Sequence, residues 1–98
     1  MMELGVIGER VADICRRYGV ERLDVFGSVA RGDASGSSDI DLLYVLEPGR
    51  SLGWEIEDLS QALAEVFERP VDLVSRRALH PVIRDQVLAD AEPVYAAA

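Results

Sequence analysis

Two aspartates separated by a single residue, Asp39 and Asp41, stand ten residues after a Gly27-Ser28 pair. On a strand, residues i and i+2 share a face, so both carboxylates point the same way, with Cα atoms roughly 7 Å apart. Two carboxylates held that close repel one another, and a divalent cation relieves the repulsion. A hard ion such as Mg2+ takes oxygen ligands, commonly one or two carboxylates together with substrate phosphates. Residue type and spacing therefore point to a metal-dependent phosphate site.

A third acid, Asp72, sits inside the short apolar run Val71-Asp72-Leu73-Val74. If that run is a strand beside the one carrying Asp39 and Asp41, the three carboxylates can meet and hold one or two Mg2+ ions. Paired ions in phosphoryl-transfer sites stand about 3.5–4 Å apart. Asp72 is also the natural general base for an attacking hydroxyl. Gly27 lets the backbone turn sharply and approach a phosphate. Ser28 supplies a hydroxyl at a helix N-terminus, where free N–H groups favour anions.

The elements that must position these groups follow from periodicity. Apolar residues at Leu4, Ile7, Val11, Ile14, Cys15 and Tyr18 predict a first helix over Glu3 to Tyr18, closed by Gly19. Glu21 to Phe26 reads as a strand ending at Gly27, with a short helix over Val29 to Gly32 capped by Ser28, and a loop from Asp33 to Ser38. Asp39 to Leu46 is the second strand; Asp39, Asp41, Leu43 and Val45 share one face, and Ile40, Leu42, Tyr44 and Leu46 the other. A long helix from Ser51, with its stripe at Leu52, Ile56, Leu59, Leu63 and Val66, ends before Pro70 and serves as the crossover to a parallel third strand over Val71 to Val74. A last helix over Pro81 to Ala89 is expected to turn Val82, Ile83, Val87 and Leu88 inward, and Pro93 to Tyr95 can add an edge strand. The expected fold class is α/β, a small mixed sheet with flanking helices in a single domain over residues 1–98.

Size and composition set limits. With 98 residues there is chain for one core and none for a second substrate-binding domain. No apolar run reaches the length of a membrane span, and residues 1–5 lack the basic-then-apolar pattern of a secretory signal, so no membrane association is expected. Cys15 is the only cysteine, which excludes an internal disulfide and suits a reducing cytoplasm. A net charge of −8 argues against broad nucleic-acid binding and favours a basic protein partner. His80, Cys15 and the run Glu55, Glu57, Asp58 carry ordinary readings: a surface residue at a helix start, core packing and a solvated helix face. Trp54 lies half a turn off its helix's apolar stripe, where partial exposure is expected.

The run Phe26-Gly27-Ser28-Val29-Ala30-Arg31-Gly32-Asp33, the spacing to Asp39-Ile40-Asp41 and the later Asp72 resemble the DNA polymerase beta-type nucleotidyltransferase superfamily. At this length the chain looks like a minimal nucleotidyltransferase of the kind paired, as antitoxin, with a HEPN-domain RNase toxin. The resemblance implies a nucleotidyltransferase fold in which Gly27, Ser28 and Arg31 hold nucleotide phosphates. It also implies that Asp39, Asp41 and Asp72 bind Mg2+ and that Asp72 helps deprotonate the acceptor. The implied activity is transfer of AMP from ATP to a tyrosine hydroxyl of the toxin, within a hetero-oligomer in the cytoplasm. Two alternatives remain: an antitoxin that inhibits by binding alone, and a nucleotidyltransferase acting on a small molecule such as an aminoglycoside.

Overall fold

A computed structural model describes residues 4–27, 30, 32 and 39–97 of the chain. The expected order of elements is found. Helix α1 spans Leu4–Tyr18, strand β1 Val20–Phe26, strand β2 Ile40–Leu46, helix α2 Glu55–Phe67 and strand β3 Val71–Ser75. A 3₁₀ turn over Arg76–Ala78 leads to helix α3, Pro81–Asp90, and strand β4, Glu92–Ala96, closes the described chain. The helix over Val29 to Gly32 and the loop over Asp33 to Ser38 fall outside the described residues, apart from Ala30 and Gly32.

The four strands lie in the order β3-β2-β1-β4. β1 runs antiparallel to both β2 and β4, whereas β2 and β3 are parallel, as the α2 crossover requires. Gly19 turns the chain between α1 and β1 at φ 71°, and its carbonyl accepts a hydrogen bond from the Glu47 N–H at 2.9 Å. A left-handed turn of this kind is where glycine is least strained.

Period-2 alternation assigns the two faces of the sheet. Leu23, Ile40 and Leu42 turn toward α1 and α2 and join Val11, Cys15, Leu59, Leu63 and Val66 in the core, with Leu73 and Tyr44 packed against it. Each fully buried side chain of this size contributes roughly 1.5–3 kcal/mol, so this layer carries most of the stability. The opposite face bears two rows of register partners, Asp24–Leu43–Val74 and Phe26–Asp41–Asp72. The 3₁₀ turn packs on β2 and α3 on β1, so Leu43 and Asp24 are buried there as well.

Two expectations are corrected. The long helix begins at Glu55 rather than Ser51. Leu52 instead lies in a turn, its side chain in the core and its carbonyl accepting from the Glu55 N–H at 2.8 Å. The helix starts where Glu55, Glu57 and Asp58 complement the positive end of its dipole. The last helix starts at Pro81 as expected and runs one residue further, to Asp90, but Val82 and Ile83 do not face inward: they are 82% and 48% exposed. Among the apolar residues of α3 only Val87 and Leu88, in its later part, are half-buried, where the helix packs on β1.

Candidate active site

Asp39 immediately precedes β2 and is exposed, while Asp41 is the second residue of that strand and half-buried. Asp72, the second residue of β3, is directly in register with Asp41. Neighbouring strands lie about 4.7–4.9 Å apart and register partners project to one face, so the two carboxylates stand side by side. The Asp41 carboxyl is held above its ordinary value, first by desolvation, then by the charge of Asp72 and then by that of Asp39. The fold thus gathers the three acids into one electrostatic neighbourhood. Asp72 is exposed on the edge strand of the sheet, yet its charge reaches Asp41.

On the other side of Asp41 its register partner is Phe26, and Gly27 follows with φ 75°. A Cβ placed on Gly27 would stand 2.5 Å from Asp41 Oδ2. The backbone at Gly27 therefore passes directly against the carboxylate. Ser28 and Arg31 lie outside the described residues.

Three neighbouring carboxylates are a hard oxygen donor set of the kind Mg2+ takes, and Asp41, raised first by desolvation and then by the charges of Asp72 and Asp39, is a group whose charge a cation would favour. The residues fit the ion in chemistry. Among the described residues no three His, Cys, Asp or Glu side chains converge closely enough to hold a metal as they stand. Asp41 and Asp72 share a face and a register, and Asp39, just outside the strand, adds its charge to theirs.

One residue escaped the sequence reading. Asp24 is 1% exposed on the same sheet face, with both carboxylate oxygens 3.0–3.1 Å from Arg22 Nε. A buried charge needs such a partner. The signal was present: Arg22 and Asp24, two apart on a strand, share a face. The pair steadies β1 just before the Gly27 turn. Glu57, read as a solvated helix residue, is exposed but also lines a 440 Å³ cleft between α2 and β3 that reaches Asp72.

The polymerase beta nucleotidyltransferase model matches residues 9–98, nearly the whole chain. The chain belongs to this nucleotidyltransferase family. As a family member it is similar to a Methanocaldococcus jannaschii protein provisionally named a protein adenylyltransferase, at 33% identity over 95% of this chain and 99% of that one. It is also similar to the protein adenylyltransferase MntA of Thermococcus cleftensis, at 37% identity over 80% of this chain and 78% of that protein. A solved minimal nucleotidyltransferase of tentative assignment shares 44% identity and superposes with a TM-score of 0.74, covering 94% of this chain and 96% of its own. The same fold recurs, at 24% identity and a TM-score of 0.71, in a toxin–antitoxin crystal structure with AMP-PNP, over 92% of this chain and 73% of that one. This nucleotidyltransferase is accordingly an enzyme of a generally metal-dependent family. None of its described helices is long and apolar enough to cross a membrane.

Proposed function

We propose that this nucleotidyltransferase is an antitoxin that transfers AMP from Mg-ATP to a tyrosine hydroxyl of a cognate HEPN RNase toxin and thereby silences it. The observation that carries the reading is the register pairing of Asp41 with Asp72, beside the Gly27 turn, on an accessible sheet face. Two relatives bearing the name protein adenylyltransferase support a protein as acceptor, and the occurrence of this fold in a toxin–antitoxin complex supports the class of partner.

In this reading Asp39, Asp41 and Asp72 hold one or two Mg2+ ions, which when bound would neutralise the triphosphate. Gly27 allows the triphosphate close to the backbone, and Ser28 and Arg31 grip its oxygens. Asp72 takes the proton from the acceptor hydroxyl. The freed oxygen attacks the α-phosphorus in line, forming a P–O bond as the bond to the pyrophosphate oxygen breaks. The protein's part is placement and electrostatics.

The test is the intact mass of the co-expressed partner after incubation with this chain, ATP and Mg2+. Mass gain in whole AMP units, absent with Asp39→Asn, is the expected result. A stable complex with no mass change would overturn transfer in favour of inhibition by binding alone.

A further inference from the structure

β3 is an edge strand, and its main-chain polarity is fixed by one bond. The Ile40 N–H donates to the Pro70 carbonyl at 2.9 Å, so the backbone at Pro70 faces β2. In a parallel pair alternate residues turn their N–H and C=O groups to the neighbour, so Asp72 also faces β2, whereas Val71 and Leu73 present theirs to the outer edge. The Ser60 hydroxyl, donating to the Val71 carbonyl at 3.3 Å from α2, marks that outward direction. The edge forms one wall of the 440 Å³ cleft whose other wall is α2, with Glu57, Ser60 and Gln61 along it. An open edge of this kind is a template for a further strand.

The chemistry of the cleft selects its occupant. Its charged lining residues are Glu57 and Asp72, both acidic, in a chain of net charge −8. A triphosphate would be repelled there, and a second copy of this chain would set acid against acid. An extended peptide can hydrogen-bond to the Val71 N–H and to the main chain of Leu73, the Val71 carbonyl being engaged by Ser60, and basic residues on it complement Glu57. Asp72 belongs to both the cleft and the acid trio, so a strand laid along β3 passes the position of the proposed base.

We propose that the cleft between α2 and the outer edge of β3 binds an extended, basic-flanked segment of the protein substrate as an added strand and thereby delivers its acceptor hydroxyl to Asp72. This rests on the protein-acceptor reading above and adds where that acceptor docks. The segment gains affinity from main-chain bonds to β3 and orientation from the Glu57 charge, while the nucleotide enters from the Gly27 side of Asp41.

The test uses the whole chain and fluorescein-labelled peptides centred on tyrosine, read by fluorescence anisotropy without nucleotide. Arg-flanked peptides are expected to bind about tenfold more tightly than Glu-flanked ones, with the preference fading in high salt. N-methylating alternate amides should weaken binding about tenfold in one phase of the alternation and leave it unchanged in the other, as loss of one or two main-chain bonds dictates. Glu57→Arg and Gln61→Arg, both at exposed helix positions, should weaken the Arg-flanked peptide about tenfold and raise the KM for the protein acceptor while leaving the KM for ATP unchanged. Equal loss in both N-methyl phases, or unchanged binding in both helix variants, would overturn the docking site. So would self-association through β3 that the same variants abolish. The two readings fail separately. Peptide docking without any AMP transfer removes the proposed activity and keeps the cleft, whereas transfer that ignores Glu57→Arg and Gln61→Arg keeps the activity and removes the cleft.

Discussion

Gly27 packs directly against Asp41: a Cβ there would meet Asp41 Oδ2 at 2.5 Å, and the carboxylate would have to shift. The glycine's φ of 75° adds a second constraint, since that region is strained for other residues. Turn and acid are therefore one unit, joined through the Phe26–Asp41 register. Gly27→Ala should cost about 1–2 kcal/mol from backbone strain alone, lowering Tm by several degrees. Transfer should fall about 100-fold as the carboxylate is pushed aside. Thermal melts and single-turnover kinetics on the same preparation check both, and undiminished transfer would break the link between the turn and the acid.

Asp41→Asn separates stability from function. The native carboxyl is raised by desolvation and by Asp72 and Asp39, which means that the folded state disfavours its charge. At pH 7 without divalent ions the variant should melt at the same temperature or a few degrees higher, as expected when a strained functional group is neutralised. Its transfer activity should fall more than about 100-fold. A well-folded variant that retained transfer would remove the acid trio from the mechanism.

Cys15 gives the pH dependence. It is completely buried on α1, and desolvation pushes its thiol from 9.0 up to about 12. A raised folded value means that the unfolded chain ionises first. The stability contributed by the neutral thiol is fully present below pH 9.0 and is lost progressively toward about 12. Urea midpoints from pH 7 to 11 should therefore decline in the native protein relative to Cys15→Ala, which is less stable at pH 7 by about 1–2 kcal/mol because of the lost packing. The gap should narrow above pH 9. In the folded protein the thiol should resist alkylation at pH 8, a reaction that needs thiolate.

His80 caps α3: its Nδ1 accepts the Val82 N–H at 3.1 Å, and Pro81 occupies the first turn. No side chain of this helix is fully buried, so the cap matters more than usual. His80→Ala should cost about 1 kcal/mol and speed amide exchange in the first turn of α3, with His80→Asn restoring protection. Equal exchange in all three proteins would show that the cap does not hold the helix.

Local chemistry determined much of this molecule. The apolar stripe of α1, the alternation of β2 and the Gly27-to-Asp39 spacing were legible because each is a short-range pattern that only one kind of element satisfies. They fixed the order of elements, the faces of β2 and the three acids. Asp72 was recognisable only conditionally: on its own it reads as a solvent-facing edge residue, and it is indeed exposed. Its pairing with Asp41 depends on β3 lying parallel to β2, a non-local choice made by the α2 crossover. The same holds for the burial of Asp24 where α3 packs on β1, the outward Val82 of α3, and the place of Leu52 in the core from a turn rather than a helix. Each depends on what packs against the residue, which no window of sequence contains. The sequence by itself determined which groups can do the chemistry. Only the tertiary structure decided which of them meet, because register and layer packing are settled by the whole chain burying its apolar faces at once.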